Sequence, residues 1–332
     1  MNDDYSKTKS RRLTPWTGRC DSTPLESYID LCTGRDYDHR HPAILASGEA
    51  AFLNSYELSS CRFCGSGTIV KDGFSETGIR RYRCRECGRR FTVITNTIFD
   101  SRKLPVSEWV CFLLDLFGYS SFSLTSKVNR NAVSTTKYWV RKLFLLLVGV
   151  QDGILLGGKV WVDETFIKVR KGDVEKRPDG KEYRGLSRNQ MCIGIACDRE
   201  NAVFVFEGYG KTSKKKTLDA FSSHIKEGSH LIHDKEEGHS TLVSKLGLTE
   251  EAYDSRKLKG IPDNDNPLDR VNELCNLLQQ FLSSHSGFDR DDIQDYLNLF
   301  SVMVNPPHNK YEKVKKIIEL GLEKPVLVRF RD

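Results

Sequence analysis

The spacing of apolar residues changes character along this chain of 332 residues. After Pro105 and before Gly118, Trp109, Phe112, Leu113, Leu116 and Phe117 recur at three- and four-residue intervals, which predicts a helix with one buried face. Leu124 to Val128, a break at Asn129-Arg130-Asn131, and a stretch from Ser134 to Leu143 predict two short helices joined by a tight turn. Beyond Gly157-Gly158 the period shortens to two. Lys159 to Val169 reads as a strand, and Met191 to Cys197 and Ala202 to Glu207 read as a pair joined by the turn Asp198-Arg199-Glu200-Asn201. Thr217 to Ile225 is helical, and Ser229 to His233 is a short strand ending at Asp234. Lys171 to Asn189 reads as a charged loop or hairpin between the first two of these strands. Towards the N-terminus, Ser47 can cap a short helix. Thr68-Ile69-Val70 and Arg90 to Ile94 look like strands, and residues 1–42 are polar and without periodicity.

Cysteine spacing gives the two short N-terminal strands a purpose. Cys61-x2-Cys64 and Cys84-x2-Cys87 are two knuckles that can converge on one tetrahedral ion, the pattern of a structural zinc ribbon. The second knuckle lies in a segment carrying Arg80, Arg81, Arg83, Arg85, Arg89 and Arg90, a density that a metal cage does not need and a polyphosphate partner does. Residues 58–146 hold 15 Lys/Arg against 6 Asp/Glu, so the formal charge of +6 is the sum of +9 here and −3 elsewhere. The remaining six cysteines are scattered, and the chain opens without an apolar signal, which argues for a reducing, cytoplasmic compartment. The longest apolar run, Leu143 to Val148, is too short to cross a bilayer.

Four segments follow: a polar lead-in with a short helix (1–57), the zinc ribbon (58–100), a helical DNA-binding domain (101–150) and a sheet domain (157–320). The helix pair has the outline of a helix-turn-helix whose second helix presents Thr135, Thr136, Lys137 and Arg141; the alternative is a helical linker with a solvated basic face. Three strands, a helix and a fourth strand ending in an acid form the order of a ribonuclease-H-like α/β domain, a mixed sheet with flanking helices.

In Trp161-Val162-Asp163-Glu164-Thr165-Phe166 a carboxylate interrupts an apolar strand, where it needs a cation or a salt-bridge partner. Asp234 ends the fourth strand, next to the first in such a sheet, so both acids can share a metal; capping the following helix is its alternative role. Oxygen ligands of this kind select Mg²⁺ or Mn²⁺. His233 can assist proton transfer or simply bond its strand, and the run Lys211-Thr212-Ser213-Lys214-Lys215-Lys216 can be a solvated helix start or a phosphate contact.

Over about residues 47–320 the chain resembles the zinc-ribbon DDE transposases of bacterial insertion sequences, the ISXO-like group. The likeness rests on the cysteine quartet, on Val162 to Phe166, on Ser229 to Asp234 and on Asn266 to Leu274, which contains Val271-Asn272-Glu273. It also includes Gly287-Phe288 and Ile293 to Phe300. The resemblance implies a DNA transposase that binds terminal inverted repeats and cuts and joins DNA through Mg²⁺ or Mn²⁺, with double-stranded DNA as partner and a homodimer or larger synaptic assembly. It places Asp163, Asp234 and Asn272 as catalytic metal ligands, with Glu273 as the rival third ligand. The basic residues Arg80, Arg81, Arg83, Arg85, Arg89, Arg90, Lys137 and Arg141 are the DNA-contacting candidates. Gln279 stands where the family usually has a lysine, and His239 where it commonly has a tyrosine.

Overall fold

The computed structural model describes residues 46–100, 105–129, 131–169, 171–262, 265–285 and 288–325. Most of the polar lead-in, Arg130 and Gly287 lie outside the described residues. The chain divides into two compact units, one running through Asp115 and taking in the chain from Gly321, the other spanning Leu116–Leu320. This division falls inside the segment 101–150.

In the first unit, α1 (Ala46–Asn54) precedes a three-stranded antiparallel sheet of β1 (Ile69–Phe74), β2 (Arg80–Cys84) and β3 (Arg90–Phe91). Strand β2 is new relative to the sequence reading, because its arginines hide an alternation in which Tyr82 and Cys84 are buried while Arg81 and Arg83 are exposed. The strand expected over Arg90 to Ile94 stops at Phe91, since Thr92 turns the chain by donating its N–H to Thr95 Oγ1 at 2.9 Å. The core under this sheet is small. It consists of Cys61, Tyr82, Cys84 and Phe91 with Leu58 and Ile69 against them, and Tyr82 stacks on Phe91 at 5.8 Å. So little apolar surface cannot hold such a fold without a cross-link. Helix α2 (Val106–Leu116) follows, with Trp109 in edge contact with Phe99 and Phe112.

The second unit opens with α3 (Phe122–Val128), capped by Ser121 Oγ, and α4 (Val133–Leu147). Its centre is a five-stranded sheet of β4 (Lys159–Lys168), β5 (Gln190–Cys197), β6 (Ala202–Tyr209), β7 (His230–Asp234) and β8 (Thr249–Tyr253), in the order β6-β5-β4-β7-β8. Strand β5 is antiparallel to both of its neighbours, β4 and β6, and β4, β7 and β8 are parallel. Strand β8 was unexpected because Thr-Glu-Glu-Ala-Tyr is solvated along its length and offers no apolar alternation. One face of the sheet packs Val160, Val162, Ala196, Val203 and Leu231 against Ala220 and Phe221 of α5 (Lys214–Phe221) and Leu242 of α6 (Ser240–Leu246). Helix α5 begins earlier than Thr217 because Ser213 Oγ caps Lys216, and it ends before Ile225, which instead bridges Leu156.

The other face carries α7 (Asp269–Ser284) and α8 (Ile293–Val304), with Phe204 of β6 edge-on to Phe300 at 5.0 Å. Side-chain amides fix this edge of the sheet: Asn305 brackets both backbone groups of Ala202, and Gln151 those of Phe204. Helix α9 (Lys310–Glu323) was not anticipated. Thr136, expected on the presented face of the second short helix, is buried and helps pack α4; Thr135, Lys137 and Arg141 remain accessible to different degrees. Among the described residues no helix is long and apolar enough to cross a membrane.

Candidate active site

The two cysteine knuckles have the same local construction. Gly65 and Gly88 follow their Cys-x2-Cys segments with φ of 74° and 70°, and each donates its N–H to the carbonyl of the first cysteine, at 3.0 and 3.1 Å. That left-handed conformation is one glycine adopts without a Cβ penalty. Cys61 and Cys87 Sγ lie 3.7 Å apart and Cys64 and Cys84 Sγ 3.6 Å, with all four within 4.8 Å of one another. Four sulfurs at about 2.3 Å from a tetrahedral zinc stand about 3.8 Å apart, so the quartet fits that ion. Backbone N–H groups of Cys87 and Glu86 aimed at Cys84 bring its thiol down to about 7, while Cys64, against the backbone N–H of Ser66, is pushed up to about 12 by burial and the neighbouring thiols.

Around this quartet, Arg81, Arg83, Arg85 and Arg89 are exposed, and Arg81 and Arg83 share the outer face of β2. Arg80 lies over the Phe74 ring, Arg89 lies over that of Phe63, and Arg90 pairs with Asp72 at 2.6 Å. In the other unit, Lys137 and Arg141 line a cavity of about 720 Å³ whose other wall includes Asp289, Asp292 and Asp295. Both cations are exposed.

The sheet brings the two aspartates together. Val162 of β4 is paired in parallel with His233 of β7, so Asp163 and Asp234 are the next residues on neighbouring strands. Trp161 and Thr165 fix which face Asp163 occupies: Trp161 Nε1 donates to Pro267 O at 2.9 Å, and Thr165 Oγ1 accepts from Gln279 Nε2 at 2.6 Å. Asp163, between them at the same phase, lies on the α7 face of the sheet. Burial pushes its carboxyl up to about 7, and the charges of Asp234 and Glu164 add to the rise against the pull of backbone N–H and His239. Burial also raises Asp234, whose Oδ1 accepts from Glu236 N at 3.1 Å. Two acids so placed are short of positive charge. A divalent cation would supply it, and the donor set is the oxygen-rich one that hard cations favour.

Along α7, Cys275 is buried within the field of Asp163, and Gln279 meets Thr165 one turn later. Asn272 is half-buried and lies three residues before Cys275 and seven before Gln279, on the same helix face. Glu273 is exposed and lines a separate cavity of about 240 Å³ with Arg199, Glu200, Arg270 and His308. Gln279 is held by its hydrogen bond to Thr165 of β4.

Sequence reasoning did not find the polar cluster on the opposite face. Glu164 follows Val162 in phase, and its Oε1 accepts from Nε2 of the fully buried His239 at 3.0 Å. His239 Nδ1 lies 2.9 Å from His233 Nδ1 and 3.9 Å from Asp234 Oδ1, while His233 Nε2 contacts Glu250 Oε2 at 3.3 Å. Nearby, Glu207 is raised to about 7 by burial, with the charge of Glu164 adding and a 2.6 Å hydrogen bond from Thr212 opposing. The available signal was Glu164 itself, a second charged residue in an apolar strand; nothing local pairs it with a histidine 75 positions away. Of the lysine run, Lys211 pairs with Glu236 at 2.8 Å and Lys216 Nζ donates to the carbonyls of Tyr209 and Lys211. Lys214 and Lys215 are exposed.

No family model matches the chain. It is similar to an uncharacterized protein in transposable element ISH50 of Halobacterium salinarum, with 22% identity over 278 residues that cover 79% of this chain and 91% of that protein. The chain is a distant relative of a protein carried by a mobile element. Among solved structures it is similar to the Mos1 strand transfer complex, at 13% identity and a TM-score of 0.29, over 66% of this chain and 76% of that one. It is also similar to a chain of the simian T-cell lymphotropic virus intasome in complex with PP2A regulatory subunit B56 gamma, at 12% identity and a TM-score of 0.29. That likeness covers 45% of this chain and spans about half of the other, 49%.

Proposed function

We propose that this chain is a DNA transposase of the zinc-ribbon ISXO-like kind, acting on the terminal inverted repeats of an insertion sequence in a bacterial cytoplasm. The observation that carries the reading is the placement of Asp163 and Asp234 side by side on parallel strands, on a face covered by the helix that bears Asn272. The strand order, with the third, second, first, fourth and fifth strands side by side, is that of ribonuclease-H-like folds and supports the assignment. The relative from a transposable element supports it independently.

In this reading Asp163, Asp234 and Asn272 hold Mg²⁺ or Mn²⁺, and Glu273, turned towards another cavity, does not. When bound, such ions activate a hydroxyl for in-line attack on phosphorus and stabilise the leaving oxygen. The chain's own contribution is positioning. Strand pairing fixes the separation of the two acids, Trp161 and Gln279 tie β4 to α7, and the neutral amide of Asn272 adds an oxygen ligand without a third charge. The ribbon arginines, with Lys137 and Arg141, bind the element ends, and two chains assemble to hold two ends together.

The test is joining. Purified protein is given labelled inverted-repeat DNA, a supercoiled target plasmid and Mg²⁺ or Mn²⁺; labelled DNA covalently joined to the plasmid is expected. Cleaved ends without joined product would indicate a hydrolytic nuclease. Binding without cleavage would favour a DNA-binding protein that has lost catalysis, a reading to which the uncharged, hydrogen-bonded Gln279 lends support.

A further inference from the structure

We propose that His233, His239 and Asp234 form a nitrogen-containing site for a divalent first-row transition ion, on the far side of Asp234 from Asp163. The inference deepens the reading above, because Asp234 would be shared, but its geometry stands without any assumption about DNA.

The ligand atoms of the three residues lie within 4.8 Å of one another. Each imidazole has a carboxylate on its outer nitrogen, Glu164 on His239 and Glu250 on His233. A carboxylate only accepts, so both Nε2 atoms carry the hydrogen and, in the neutral rings, both Nδ1 lone pairs point inward. Those lone pairs face each other across 2.9 Å, with Asp234 Oδ1 3.9 Å from one of them. Two lone pairs that close repel unless something positive lies between them. Two nitrogens bound at about 2.0–2.1 Å to one ion at right angles are about 2.9 Å apart, so the separation suits neighbouring ligands of a single metal. The carboxylate behind each histidine is the arrangement that fixes ring orientation and raises ligand basicity at metal sites. Two imidazoles and one carboxylate favour first-row transition ions, whereas Mg²⁺ favours oxygen. Asp234 is the accessible member, with a side chain 27% exposed, while His239 is fully buried, so the ion enters past Asp234. An N–H···N bond between the rings would also span 2.9 Å, and it requires one ring to carry a second proton; the experiment separates the two arrangements.

Full-length protein with its ribbon loaded with zinc is titrated with Co²⁺ alone, followed by visible ligand-field absorbance, without DNA. One further Co²⁺ per chain is expected, with bands that report nitrogen ligation, resistant to a hundred-fold excess of Mg²⁺. His239→Gln should weaken that binding at least ten-fold, and Glu164→Gln by about ten-fold. The proposal is overturned if no further ion binds, if Mg²⁺ displaces Co²⁺ on equal terms, or if His239→Gln binds Co²⁺ as the parent does. If His239→Gln fails to fold, Glu250→Gln decides, because that carboxylate is half exposed: several-fold weaker binding supports the site and unchanged binding overturns it. Loss of DNA joining with Co²⁺ binding intact would count against the transposase reading alone.

Discussion

The ribbon and the five-stranded sheet use acidic and sulfur ligands in opposite ways. In the ribbon, four cysteines within 27 residues sit on two copies of one glycine-ended turn, and two of them belong to the few side chains that form its core. In the sheet unit, Asp163 and Asp234 come from strands separated by two further strands and a helix, and the core beside them is built of Val160, Val162, Val203, Phe221 and Leu231 without either acid. A metal at the first site would be part of the fold. At the second the core is built without either acid, and a cation would relieve the like charge of the two carboxylates. Zinc removal should therefore dismantle, and loss of the catalytic ion should only disarm.

The largest expected effect breaks the first half of that contrast. Cys87→Ser removes a ligand from a site whose ion contributes on the order of 10 kcal/mol in comparable small folds. Hydrogen exchange should show residues 58–97 unprotected while protection over 159–234 persists. Equal loss in both segments would mean that the sheet also depends on zinc.

The sheet's own vulnerability lies in packing. A Cβ on Gly194 would stand 2.5 Å from Glu207 Oε1 and 2.8 Å from Phe221 Cζ, closer than real atoms approach. Gly194→Ala should cost about 1–3 kcal/mol in chemical denaturation, with zinc content unchanged. A smaller effect concerns the charged surface: Arg81→Ala and Arg83→Ala, both at exposed positions, should each weaken DNA binding across sequences and reduce the salt slope by about one.

The smallest effect is in pH dependence. Glu207 is raised to about 7 from an ordinary value of 4.5. A carboxyl whose folded pKa exceeds its unfolded one binds its proton more tightly in the fold, so its contribution is present in full below about 4.5 and lost as pH rises through about 7. Glu207→Gln should flatten thermal stability between those limits. An unchanged pH profile would place Glu207 outside the buried cluster.

The sequence made the ribbon legible because its information is local: spacing of cysteines, and a glycine after each pair. It made Asp163 and Asp234 legible because a charged residue in an apolar strand and an acid at a strand end stand out, and because the order of elements brings those strands together. Strand β2 was hidden by its own arginines, and β8 by being solvated. The His239–Glu164 pair was hidden because partners 75 residues apart leave no mark in either segment. Thr136 was placed on the presented face of its helix by outline alone, and the structure buries it to pack α4.

The most direct measurement is cleavage and binding of inverted-repeat DNA by Asp163→Asn, read in the same samples. That change keeps the size of a half-buried side chain on the α7 face of β4 and removes its charge. Cleavage is predicted to fall by on the order of 10³-fold, about 4 kcal/mol of barrier, with DNA affinity and zinc content unchanged. Cleavage at the parental rate would contradict the assignment of this face of the sheet as the reacting centre.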